Sequence, residues 1–403
     1  MLGAFYINGP DRVAPGGGCV TQNNGAWTAA GGVLFVDQPA GTGLSRAGPA
    51  GPPTSTAAAA AQLHSALLTL FAPGGALEAV GGRPIVVAGE SYGGKFVPAL
   101  AAAALAHEAA STSAGAVACK FGGVAAAADA RPPLRVAGAA VGNALVDASR
   151  QVLTHADALY YRGALDAAQW GAATRAAWRA SALARARAWA PAHAARAALL
   201  ADLTSAAGLG TLLDVRRDVD YDARGDVPAL LNRPDVRAAL GVPPNAPSFA
   251  TCSPAVMAAF DLDIMQPANA LYEGLLAAGL PVLLYQGDAD AQDGPAAAAA
   301  WQATLRWPGA ANHSGAPREL WRVGGDGGWE AVVEPTPSPP PSSRVAGYWR
   351  AGGGLTNAVV RNGGHMLPHD QPAAALAMLG RWLEESGIVG EGLRPRAAAA
   401  AAA

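Results

Sequence analysis

The stretch PIVVAGESYGGKFVPALAAAALAHEA, Pro84 to Ala109, constrains the fold more than any other part of the chain. It opens as a short apolar run that reads as a buried strand. It bends around Ser91, with Gly89 and Gly93 two residues to either side, and from Lys95 to about Glu108 it reads as a helix. A strand that feeds a helix this abruptly points to a mainly parallel sheet covered on both faces. Other segments repeat the pattern. GVLFVDQPAG (Gly32 to Gly41) reads as a buried strand leaving into a Gly/Pro turn, and Thr54 to Phe71 as a helix starting near Ser55 or Thr56. LRVAGAAVGNALVD is a strand ending at a Gly/Asn turn. DIMQPANALYEGLLAAG is helical, LPVLLYQGDAD a strand with an acidic exit, LTNAVVRNGGH a last strand and QPAAALAMLGRWLEESG a last amphipathic helix.

From about Ala148 to Arg224 the chain becomes rich in Ala, Arg and Trp and looks wholly helical. The expected organisation is a core in two parts, 1–147 and 225–386, with a helical insertion or cap at 148–224 and a low-complexity tail at 387–403. EPTPSPPPSSR, Glu334 to Arg344, reads as a loop too rich in Pro and Ser to pack. The alanine-rich stretch around Ala103 to Ala127 looks like a low-complexity insertion, and no internal repeat is visible.

Composition excludes several classes. Charged residues make up 14% of the chain and the formal net charge is −2, so neither nucleic acid nor an anionic membrane is expected as a partner. The basic insertion reads as a solvated cap. No apolar run is long enough to span a bilayer cleanly. Cys19, Cys119 and Cys252 are odd in number and widely spaced, which is no metal cluster and a poor disulfide framework. No metal or other cofactor is expected. Met1 is followed by no basic region or cleavage pattern, so no secretory signal is visible.

Gly89-Glu90-Ser91-Tyr92-Gly93 fits the G-x-S-x-G turn that lifts a nucleophilic serine clear of a sheet edge. Both glycines are expected to be needed, because a Cβ at either would meet the neighbouring strand and helix. The turn aims the backbone N–H of Tyr92 at the oxygen that becomes anionic on attack, and the following helix adds a favourable dipole. An ordinary glycine turn is the bland alternative. A serine hydroxyl is a weak nucleophile and needs a base, and the base needs an orienting acid. In α/β-hydrolases these follow in the order Ser, acid, His. Asp290, after the strand LPVLLY, is the expected acid, with Asp288 its competitor. His365, after the last strand and two glycines, is the expected base. His64, His107, His155, His193, His313 and His369 fit packed or solvated roles.

The motifs AFYINGP, VLFVDQPAGTGLS, VAGESYGGKFVPALA, VAGAAVGNALVD, LLNRPDVRAALGV, FATCS, LLYQGDAD, VAGYWRAGG and VVRNGGHMLPHDQP resemble, in order, those of the serine carboxypeptidase family. They cover about nine-tenths of the chain. The resemblance implies an α/β-hydrolase core with a helical insertion and a Ser91–Asp290–His365 triad. It implies release of C-terminal residues from peptides with a free C-terminus through an acyl-enzyme, typically at acidic pH. Glu90 would hold the substrate's terminal carboxylate while protonated, which low pH favours. A secretory-pathway location, in a vacuole or lysosome or outside the cell, is implied too, and Asn312-His313-Ser314 is a sequon consistent with a glycoprotein. Two departures stand out. The family's NGGPG-type turn, which supplies a second oxyanion N–H, falls just upstream of Met1, and the family's glutamate partner to Glu90 aligns with Ile7. The expectation is that sequence upstream of Met1 encodes this turn, a signal peptide and the family's partner for Cys252. Two alternatives share the resemblance: an acyltransferase using sugar esters, and an inactive truncated member.

Overall fold

The computed structural model describes residues 1–112, 131–324 and 344–389. Asp11–Val13 (β1) and Val20–Gln22 (β2) form a small antiparallel ribbon. The main sheet contains Ile85–Glu90 (β3), Val136–Gly142 (β4), Val282–Gly287 (β5), Glu319–Val323 (β6), Arg344–Gly352 (β7) and Leu355–Val360 (β8), in the order β3-β4-β5-β8-β7-β6. The pairs β3–β4, β4–β5 and β5–β8 are parallel, and β8–β7 and β7–β6 are antiparallel. This is an α/β-hydrolase sheet, mostly parallel through the half that carries the serine.

Successive side chains on a strand point to opposite faces, and β5 shows the consequence. Val282 and Leu284 enter one core with Leu68, Leu100, Val141, Tyr272 and Trp301, while Leu283 and Tyr285 enter a second with Trp321, Trp349, Met378 and Trp382. The first core is roofed by Thr56–Phe71 (α1), Gly93–Thr112 (α2) and Asn269–Ala277 (α3). The second is roofed by Pro372–Glu385 (α4). Ser55 caps α1, accepting from the Ala58 N–H at 3.2 Å.

Two expectations are corrected. Gly32 to Gly41 is not a strand. Residues 32–38 belong to no helix or strand and have no ladder partner among the described residues, and Val33, Leu34 and Val36 are 39%, 49% and 43% exposed. Apolar composition makes a buried strand only where a neighbouring ladder accepts its backbone, and among the described residues β4 is the one strand that pairs with β3. The region 148–224 is not wholly helical either. Helices at 167–185 and 189–206 pack around a core of Val152, Leu159, Leu199 and Leu203, but the helical run stops at Ala206. Gly208, at φ +64°, lies just past the helix end. Residues 211–217 then form a strap whose backbone bonds go to the loop after β5 that carries Asp290: Ala291 N–H to Leu212 O and Val215 N–H to Ala289 O, each at 3.0 Å. β6 and β7 form the antiparallel edge of the sheet and are strands beyond those the sequence pattern predicts. The Pro/Ser loop up to residue 343, Cys119 and the tail from residue 390 lie outside the described residues. Cys19 and Cys252 are exposed and free.

Candidate active site

Ser91 follows the last residue of β3 and takes φ +59°, a left-handed conformation that costs a non-glycine residue energy and marks a held turn. The turn is pinned from both sides. The Ser91 N–H donates to Gly142 O, and Ser91 O accepts from the N–H groups of Gly94 and Leu145, all at 2.9 Å. Of the glycines, Gly89 is needed as expected, since a Cβ there would lie 2.8 Å from Val97 Cγ2. Gly93 is not: a Cβ there meets only that methyl, at 3.9 Å. The tight position is Gly94, where a Cβ would lie 2.6 Å from Leu145 O.

Tyr92 anchors the turn through its side chain. Its hydroxyl donates to Asp263 Oδ2 at 2.7 Å, while buried Lys95 donates to the carbonyls of Ile264 and Gln266 at 3.0 and 2.8 Å. The Tyr92 N–H has no backbone acceptor among the described residues, which leaves it available to an oxyanion.

Asp290 and His365 meet beyond the ends of β5 and β8. His365 Nδ1 lies 2.6 Å from Asp290 Oδ2, and both residues are 4% exposed. Asp290 Oδ1 accepts from the N–H groups of Gln292 and Asp293 at 2.8 and 3.0 Å, and the His365 N–H donates to Leu213 O at 2.7 Å. Asp288 faces elsewhere, its Oδ1 accepting from Asn362 N–H at 2.8 Å, so of the two aspartates it is Asp290 that meets the imidazole. The Ser91 hydroxyl forms no hydrogen bond with His365 among the described residues. Such contacts often tighten only around substrate. Burial pulls the His365 pKa down, but the charge and hydrogen bond of Asp290, with Asp293 and Glu90 behind, outweigh it and raise the value to about 9.

Glu90 lies next to the serine. Its Oε2 is enclosed without a hydrogen-bond partner, and burial raises its pKa from 4.5 to about 8. Burial thus favours its protonated, neutral form over the carboxylate. The other histidines lie elsewhere. His369 stacks on Tyr6 with ring centres 4.0 Å apart, His313 Nδ1 meets Leu355 O at 3.1 Å, and His193 meets Asp261 at 3.2 Å.

Three groups escaped the sequence reading. Asn143 is wholly buried between the acid and base loops. Asp293, also wholly buried, accepts from Gln151 and Gln292, each at 2.9 Å. Burial raises its pKa, opposed by the charge of Arg196, a buried residue of the helical insertion. Asp370 braces the base loop, accepting from the Gly364 N–H at 2.6 Å and the Tyr221 hydroxyl at 2.8 Å. Asp293 had a visible signal, the acidic exit of β5. The others are contacts between distant positions.

A strained serine between strand and helix, with an Asp–His pair at later strand ends, defines the α/β-hydrolase class. Comparison with known proteins narrows this. The serine carboxypeptidase family model matches residues 1–385, so the chain belongs to that family and is a serine-type carboxypeptidase hydrolase by kinship. It is 32% identical over 392 residues to serine carboxypeptidase-like 50 of Arabidopsis thaliana, covering 97% of this chain and 78% of that protein. It is 28% identical over 403 residues to a venom serine carboxypeptidase of Apis mellifera, covering 96% and 76%. With carboxypeptidase Y homolog A of Leptosphaeria maculans it shares 28% over 406 residues, 95% of this chain but 65% of that protein. The structure of Kex1(delta)p, a prohormone-processing carboxypeptidase from Saccharomyces cerevisiae, superposes with a TM-score of 0.75 at 20% identity, covering 95% of this chain and 80% of that one, and shows the shared fold.

Proposed function

We propose that Ser91, His365 and Asp290 carry the carboxypeptidase reaction in this chain. The observation that supports this most is the 2.6 Å Asp290–His365 contact beyond the sheet edge that holds the strained serine. Ser91 Oγ attacks the scissile carbonyl while His365 Nε2 takes its proton. Asp290 holds the Nδ1–H tautomer and stabilises the imidazolium. The Tyr92 N–H donates to the tetrahedral oxyanion. His365 returns the proton to the leaving amino group, and water activated by the same imidazole then cleaves the acyl-enzyme.

The substrate proposed is a peptide with a free C-terminus. Glu90, protonated and lacking a partner for Oε2, has a hydrogen bond to give to a terminal carboxylate, although Ile7 stands where a second acid would share that proton. The insertion shapes access to the site. A secretory-pathway location is also proposed, supported by kinship with a venom protein and by an exposed Asn312 in a sequon. Acyl transfer from a sugar ester would use the same acyl-enzyme; Ile7 leans slightly toward it, but the relatives do not support it better than hydrolysis.

Turnover of an N-blocked dipeptide and its C-terminal amide tests the reading. Release of the last residue from the free acid, much weaker cleavage of the amide and loss of both in Ser91→Ala are expected. Turnover that survives in folded Ser91→Ala would refute it.

A further inference from the structure

We propose that Asn143 is a positioning residue that sets the serine turn, the acid loop and the base loop in one register. The proposal rests on the triad reading above.

The backbone makes the first connection. β4 ends at Gly142, and Asn143 follows it at φ +40°, with no exposed surface. Its N–H donates to Tyr285 O on β5 at 2.8 Å. The residues around it hold the nucleophile: Gly142 O accepts from the Ser91 N–H, and the Leu145 N–H donates to Ser91 O.

The side chain makes the other two. Asn143 Oδ1 accepts from the Gly287 N–H at 2.9 Å, three residues before Asp290. Asn143 Nδ2 donates to Gly364 O at 2.9 Å and to His365 O at 2.6 Å. These partners fix the amide orientation, since a flip would set its oxygen against two carbonyls. Both N–H donors and the oxygen are used. The two loops also touch backbone to backbone: a Cβ added at Gly287 would lie 2.2 Å from Gly364 O. An N–H group on one loop and two carbonyls on the other must be joined by a group that both donates and accepts, and a short primary amide does this.

The competing explanation is that asparagine stands here only because it tolerates positive φ. Two variants separate the ideas. Asn143→Gly keeps the backbone conformation and deletes all three side-chain bonds. Asn143→Asp keeps the shape, tolerates positive φ and accepts from Gly287, but its carboxylate opposes both carbonyls. The readouts are kcat, KM and the rate of fluorophosphonate labelling, with circular dichroism to confirm folding. Asn143→Gly should lower kcat and labelling about 10- to 100-fold while KM stays within about twofold, because no substrate contact is removed. Asn143→Asp should fall at least as far. Either variant, folded and within about twofold of the parent chain in kcat, overturns the proposal. So does a rise in KM at constant kcat, or failure of both variants to fold, which would make Asn143 a folding residue. A parent chain that does not label at Ser91 overturns the triad reading as well. A labelled parent with an equally fast Asn143→Gly overturns this proposal alone.

Discussion

Around Asp290 and His365 the chain closes on every side, whereas around Ser91 it is open along one edge. β5 is paired on both flanks and all six of its residues are buried. Among the described residues β3 pairs only with β4, its residues are half-buried with Ala88 exposed, and the apolar Val33, Leu34 and Val36 lie uncovered in the unpaired run before α1. Yet IVVAG and VLLYQG are similar runs of residues. Place in the sheet, rather than composition, decides how firmly a strand holds the side chain at its end. Asp290 and His365 are fixed by burial and cross-bracing. The serine is fixed by its turn and by β4.

The largest test of this contrast concerns the two aspartates of the closed half. Asp290→Asn should lower kcat about 10⁴-fold through loss of the imidazole tautomer, while Asp288→Asn, which loosens only the bond to Asn362, should change it less than about tenfold. Steady-state kinetics on the same peptide reads both. Comparable losses in the two would erase the distinction between them.

Stability tests the strands themselves. Leu284→Ala, on the closed central strand, should cost about 2–5 kcal/mol through the cavity it leaves. Val86→Ala, on the edge strand, should cost about 1 kcal/mol. Denaturant midpoints measure the pair, and equal losses would show that the edge strand is as firmly packed as the centre.

The two halves share an alkaline weakness. Glu90 keeps its proton to about pH 8 when folded and would lose it near 4.5 when unfolded. Between those values the folded chain holds the extra proton, so stability falls as pH rises through that window. His365 acts in the same direction, its contribution fully present below 6.5 and lost as pH rises through about 9. Glu90→Gln should therefore raise Tm more at pH 8.5 than at pH 4. A gain independent of pH would remove the buried acid from the account.

The turn itself offers a paired test. Gly94→Ala should destabilise by about 1–3 kcal/mol through overpacking against Leu145 O. Gly93→Ala, where a Cβ has room, should be nearly neutral by the same thermal melt. The reverse order would mean that the turn is built differently.

The sequence made legible what is local. Gly89-Glu90-Ser91 showed its turn because strand, turn and helix are neighbours along the chain, and Asp290 and His365 showed theirs because each closes an apolar run. What stayed hidden depends on partners far away in sequence. Whether Val33 to Val36 is paired depends on what lies beside it, and the antiparallel pairing of β6 and β7 depends on β8, which follows them in the chain. Asn143 meets His365 across more than two hundred positions, so only folding reveals that one amide touches both loops.

The central claim is that the imidazole held by Asp290 activates Ser91, and mass-mapped fluorophosphonate labelling of the parent chain and of folded His365→Ala tests it most directly. One adduct on the peptide carrying Ser91 in the parent, with labelling of His365→Ala slowed at least a thousandfold, is the predicted result. An adduct on another serine, or equal labelling in His365→Ala, would contradict it.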